Sequence, residues 1–191
     1  MIKKTTYLFI LACFFHVGML SAQEVKWNTW EEATAKAKIE QRKFFVDIYT
    51  DWCTWCKKMD ETTFKDPNLV KYLNENFYPV KLNAQQEEDI LFNGQIYQFV
   101  NNGINSYHEL AFQIMNGKMK YLTVAFIDES FQIIQSIPGF RTSFELELFL
   151  TYFGENNHEI KPWYRFKNEQ EQVRKNSLQL PVGGGKVIKQ H

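Results

Sequence analysis

The sequence predicts an α/β domain with a central mixed sheet flanked by helices. Three observations carry that reading. Between residues 27 and 82, short runs rich in aromatic and branched residues alternate with amphipathic stretches at helical spacing. Residues 121–127 and 131–137 are two further apolar runs separated only by Asp128-Glu129-Ser130, which reads as a tight hairpin. A last helix follows, opened by Thr142 and Glu145 in capping-box spacing. The order helix, strand, helix, helix, strand, helix, strand, strand, helix calls for parallel and hairpin pairings in one sheet.

Within 27–42, Trp30, Ala33 and Ala37 recur at helical spacing among Glu and Lys residues. Residues 44–49 read as a buried strand. After Cys53, the side chains of Cys56, Met59 and Thr63 share one helical face, while Lys57, Lys58, Asp60 and Glu61 face water. Asp66 and Pro67 supply an N-cap and a first-turn proline for a helix that buries Val70 and Leu73. Residues 77–82 form a second strand, which Pro79 marks as a sheet edge or a strand start. Residues 83–103 read as an insertion, with Gly94 and Gly103 as breakers, a solvated acidic-amide cluster at 85–89 and a short helix around 90–100. Tyr107, Leu110, Ala111 and Ile114 make an amphipathic helix ended by Gly117, with His108 off its buried face. The last helix stops at Gly154. Trp163, Tyr164 and Phe166 are available to pack back on the domain, and the tail from about residue 175 reads as disordered.

Lys3 and Lys4 precede an almost purely apolar run at 7–20, and Ser21-Ala22-Gln23 supplies small residues after it. That layout predicts a signal peptide over 1–22, cleaved after Ala22. The run falls short of the roughly 20 residues a spanning helix needs. An uncleaved anchor and, through Cys13, a lipoprotein are the alternatives. The division is therefore 1–22 signal peptide, 23–160 domain and 161–191 C-terminal extension. Lys plus Arg equals Asp plus Glu at 22 each, and the prefix holds two lysines and no acid, so the remainder is slightly acidic. No basic excess points to nucleic acid. The expected location is periplasmic or otherwise exported, as a soluble protein after cleavage.

Two cysteines remain beyond the prefix, Cys53 and Cys56. A disulfide closing so short a loop removes little chain entropy, so a purely structural staple is a weak reading. A tetrahedral zinc site needs two more ligands, and His108, His158 and His191 are not paired at short spacing. Redox chemistry explains the pair best. Cys53 at a helix start meets free N–H groups and the helix dipole, which favour a thiolate nucleophile. Cys56, one turn further in, is placed to resolve a mixed disulfide. Trp52 and Trp55 either shield the pair and offer a partner an apolar surface, or serve as core or rim packing.

The stretch FFVDIYTDWCTWCKKM resembles the active-site segment of the thioredoxin superfamily. It is most similar to exported thioredoxin-like proteins and to the C-terminal domain of transmembrane thiol:disulfide interchange reductases. The resemblance rests on Asp47, Trp52, Cys53, Cys56 and Lys57, and with the element order it spans roughly residues 27–154. It implies a thioredoxin fold carrying a redox-active Cys53–Cys56 disulfide and no other cofactor or metal. It also implies Asp47 as a buried proton acceptor for Cys56, and Lys81 as a lysine beside that acid. The family places a cis-proline in the loop facing the cysteines. Here that segment reads Tyr121-Leu122-Thr123, so the bond is either trans with a rearranged loop, or strained. The substrate surface implied comprises Trp52, Trp55, Tyr121, Leu122 and Thr123.

The function implied is thiol:disulfide exchange with protein thiols or disulfides, in the reducing direction, with a membrane thiol reductase as electron donor. Two alternatives stand beside it: a non-catalytic protein-binding module, and a metal carrier using both thiolates with a third ligand such as His108.

Overall fold

The computed structural model describes residues 24–179. Helix α1 (Trp30–Ala37) is followed by strand β1 (Lys43–Tyr49), helix α2 (Thr54–Glu61), a 3₁₀ turn (Thr63–Lys65), helix α3 (Pro67–Asn76) and strand β2 (Phe77–Asn83). Four short strands come next: β3 (Ile90–Phe92), β4 (Gln95–Tyr97), β5 (Phe99–Val100) and β6 (Tyr107–His108). Helix α4 (Glu109–Ile114), strands β7 (Thr123–Ile127) and β8 (Ile133–Pro138), and helices α5 (Ser143–Gly154), α6 (Asn157–Ile160) and α7 (Trp163–Gln179) complete the described chain. The signal peptide, Cys13, His191 and the Gly183–Gly185 part of the tail lie outside the described residues.

The central sheet has strand order β2-β1-β7-β8. Strands β1 and β2 are parallel, while β1–β7 and β7–β8 are antiparallel, so the sheet is mixed as expected. Because β1 is interior and covered on both faces, its two side-chain sets enter separate cores. Phe45 joins Met59, Leu69, Leu73, Phe126, Leu146 and Phe153 under α2, α3 and α5. Phe44, Val46 and Ile48 join Trp30, Ala33, Ile90, Leu110 and Ile114 on the other face. The same alternation turns Asp47 to the face of Phe45, beneath the helix that carries the cysteines. Pro79 lies in edge strand β2, whose outer side receives Asn28: its backbone N–H and side-chain amide both donate to Pro79 O, at 2.8 and 2.7 Å.

Several boundaries differ from expectation. The first helix starts only at Trp30, where Thr29 and Glu32 form a reciprocal cap, and it ends at Ala37. The 90–100 segment is not a helix but a pair of hairpins, β3–β4 and β5–β6. Asn93 and Gly94 turn the first hairpin with φ of 50° and 78°, the left-handed pair that a two-residue loop demands. Ile90 and Phe92 point inward and Leu91 outward, a period of two. Tyr107 is in strand β6, and His108 is completely buried as the N-cap of α4, its Nδ1 accepting from the Leu110 N–H. Strands β7 and β8 start two residues late because Leu122 and Phe131 have φ of 65° and 64°. Helix α7 continues through Gln179, past the point where disorder was expected. Its Trp163 stacks on Phe149 at 4.1 Å and its Phe166 is buried against Tyr152, whereas Tyr164 faces solvent. Among the described residues no helix is long and apolar enough to cross a membrane.

Candidate active site

Strand β1 ends at Tyr49, and the chain turns so that the Cys53 N–H donates to Thr50 O at 3.1 Å. Cys53 is the N-cap of α2, and its Sγ accepts the Cys56 N–H at 3.2 Å. A helix start leaves such N–H groups free, and they favour negative charge on a sulfur placed there. Cys53 and Cys56 form a disulfide, with Cα atoms 5.3 Å apart. Cys53 is 9% exposed and Cys56 3%, so Cys53 is the outer of the two residues. Trp52 and Trp55 stand out at 61% and 62% exposure, which makes them surface and not core. Lys57 is exposed on the outer side of α2, and its backbone N–H closes the first turn onto Cys53 O.

Asp47 is 2% exposed. Its Oδ2 lies 2.9 Å from Lys81 Nζ, and its Oδ1 has no hydrogen-bond partner among the described residues. Burial pushes its pKa from 3.8 to about 6; the Lys81 charge pulls the other way and burial wins. Lys81 also contacts Asp60 Oδ1 at 2.5 Å, and its ammonium lies over the rings of Tyr49 and Trp27 at 4.9 and 5.1 Å. Burial alone would lower the Lys81 pKa, but the two carboxylates outweigh it and raise it. Sequence reasoning placed Asp60 in water. It sits four residues after Cys56, one turn along the helix that covers Asp47, and that i,i+4 spacing was the available signal.

The loop before β7 supplies the third wall. Leu122 is buried, and its carbonyl accepts the Gly139 N–H at 2.8 Å. Among the described residues there is no cis peptide, so the Tyr121–Leu122 bond is trans and the loop is rearranged by the left-handed Leu122 backbone. Leu122 shares a core cluster with Cys53 and Cys56. Thr123 is buried and donates its hydroxyl to Lys120 O at 2.5 Å. Tyr121 meets Trp52 edge-on at 5.2 Å between ring centres, and Phe140 meets Trp55 at 5.6 Å. Phe140 escaped the sequence reading because nothing local ties it to the cysteines. His108 joins no metal cluster with them: among the described residues no three His, Cys, Asp or Glu side chains gather to hold an ion.

A protein-family model, Thioredox_DsbH, described as "Protein of unknown function, DUF255", matches residues 16–110. Spermatogenesis-associated protein 20 of Mus musculus is 34% identical over 67 residues, covering 35% of this chain and 8% of that protein. Thiol:disulfide interchange protein DsbD of Photorhabdus laumondii is 29% identical over 68 residues, covering 34% of this chain and 12% of that protein. The chain thus spans only a small part of either relative. A thioredoxin-fold protein from Helicobacter pylori superposes with a TM-score of 0.53 at 16% identity, over 74% of this chain and 87% of that one. A thioredoxin from Thermus thermophilus gives 0.50 at 19% identity, over 68% and 87%. The chain has a thioredoxin-like fold, and part of it is similar in sequence to thiol:disulfide interchange proteins, with its cysteine pair in CxxC spacing.

Proposed function

We propose that the protein is an exported thiol:disulfide oxidoreductase that reduces disulfides in partner proteins. One observation carries the proposal: the more exposed cysteine caps a helix that is tied, through Asp60 and Lys81, to a buried, half-satisfied carboxylate whose pKa is raised to about 6. In the reduced protein, the Cys53 thiolate attacks one sulfur of the partner disulfide. That bond breaks, one partner thiolate leaves and a Cys53–partner disulfide forms. The Cys56 thiol then gives its proton to Asp47 and attacks Cys53 Sγ, releasing the second partner thiolate. Two electrons pass to the partner, and the Cys53–Cys56 disulfide is what remains.

Reduction is favoured over oxidation because Thr54 and Trp55 add no positive charge between the cysteines, and a strong oxidant needs a more heavily stabilised thiolate. Trp52, Trp55 and Tyr121 form the partner-facing surface, while Leu122 and Thr123, expected there from the sequence, are buried and support it from beneath. The basic and apolar prefix over 1–22 supports export, and in an oxidising compartment a membrane thiol reductase would restore the electrons.

The test is trapping. With Cys56→Ser, incubation with a disulfide-linked peptide leaves the peptide attached at Cys53, while Cys53→Ser captures nothing. Absence of an adduct on Cys56→Ser contradicts the proposal.

A further inference from the structure

Trp52 is held from two sides, by the insertion and by the loop before β7. Its Nε1 donates to Gln85 Oε1 at 2.8 Å. Gln85 is half-buried and fixed from both ends of the insertion: its Nε2 donates to Ser106 O at 3.0 Å and its backbone N–H to Asn83 Oδ1 at 2.9 Å. Asn83 in turn donates to Asp51 Oδ2 at 3.3 Å, next to Trp52. The Trp52 ring also meets Tyr121 in a T-shaped contact, and Tyr121 leads into the left-handed Leu122. An exposed indole ordinarily samples several rotamers and must be immobilised when a partner binds. Here that ordering exists before binding.

We propose that Gln85 is a positioning residue: it locks Trp52 against Tyr121 and so builds a rigid apolar wall beside Cys53 for a partner segment with a branched or aromatic residue next to its cysteine. The inference rests on the disulfide-exchange reading. The occupant follows from position and chemistry. The wall adjoins the reacting sulfur, its two rings are aromatic, and a charged neighbour would lose hydration against them without gaining an ion pair.

The experiment uses the full chain as wild type, Gln85→Met, Trp52→Phe and the double variant. Met keeps the length of Gln and removes both hydrogen bonds. Turnover is measured with a small hydrophilic, non-aromatic disulfide and with two disulfide peptides carrying Leu or Asp beside the cysteine. Binding of fluorescently labelled versions to the oxidised protein is measured in parallel. Gln85→Met should raise KM for the Leu peptide about tenfold, with kcat, the Asp peptide and the small disulfide unchanged. In the Trp52→Phe background the same change should have no further effect. Retention of the wild-type Leu preference by Gln85→Met overturns the inference. Equal losses on all substrates, or additive effects in the double variant, overturn it too. Should the wild type turn over no disulfide, the exchange reading fails separately, and the binding preference alone decides the role of Gln85.

Discussion

Asp47 and Lys81 are register partners on adjacent parallel strands, and the ammonium lies 2.9 Å from one carboxylate oxygen while the other oxygen has no partner. The pair is bound to α2 through Asp60, which shares the same ammonium. A buried acid that is only half satisfied costs stability and stays poised to take a proton.

The cost has a sign that pH reveals. Asp47 has a folded pKa of about 6, above the ordinary 3.8, so its carboxyl is protonated in both folded and unfolded chains below about pH 4. The folded state is favoured fully there, and that advantage is lost as pH rises through about 6. Asp47→Asn therefore leaves stability unchanged at about pH 4 and raises it at pH 7 by up to about 3 kcal/mol. Urea unfolding at both pH values measures this. Equal or lower stability of the variant at pH 7 contradicts the raised pKa.

The same substitution should slow resolution and spare attack. Loss of a general base costs about a hundredfold or more. Acid-quenched time courses of Asp47→Asn should show the Cys53–partner adduct forming at the wild-type rate and then persisting. In the wild type, resolution should accelerate as pH rises through about 6, as Asp47 becomes the ionised acceptor.

Lys81 and Asp60 should move that pH profile in opposite directions. Removing the Lys81 charge takes away what lowers the Asp47 pKa, so Lys81→Met shifts the acid limb of the resolution rate upward in pH. Asp60 raises the Asp47 pKa through its charge, so Asp60→Asn shifts the limb downward. A profile that ignores both changes would separate the rate from Asp47.

Leu122→Pro tests the rearranged loop. Proline locks φ near −65°, opposite in sign to the 65° observed. The variant should lose at least about 2 kcal/mol of stability, read by thermal unfolding. Unchanged stability would mean that the loop readily adopts another backbone path.

Gly154→Ala gains helix propensity at the end of α5 yet should destabilise. The added Cβ would sit 3.0 Å from the ring edge of buried Phe77 and 3.2 Å from the Tyr72 hydroxyl. The clash should outweigh the propensity gain, for a net loss of about 1–2 kcal/mol in chemical unfolding. A more stable variant would show that these rings yield freely.

Much of this was legible in the residues, for local reasons. The caps at Asp66 and Thr142, the strand at 44–49 and the cysteines at a strand-to-helix junction are all short-range patterns. The pairing of Asp47 with Lys81 followed from the resemblance and from the acid interrupting an apolar strand. What escaped was non-local or overlooked. Asn93-Gly94 is a hairpin signal that a helical reading of 90–100 passed over. Gln85, inside a polar cluster read as solvated, acquires meaning only when the fold brings it to Trp52, 33 positions away. The Lys81–Asp60 contact joins a strand to a helix. His108 looked peripheral because its helix was extended two residues too early, whereas it begins after His108 and leaves that side chain inside.

The most direct test of the central claim is a redox titration of the full chain. The protein is equilibrated in glutathione buffers of graded potential and acid-quenched, and the Cys53–Cys56 peptide is scored as thiol or disulfide by mass. A reversible two-electron transition within the physiological range is expected, with its midpoint on the reducing side. A pair locked in one state across that range would contradict disulfide exchange and leave a binding surface in its place.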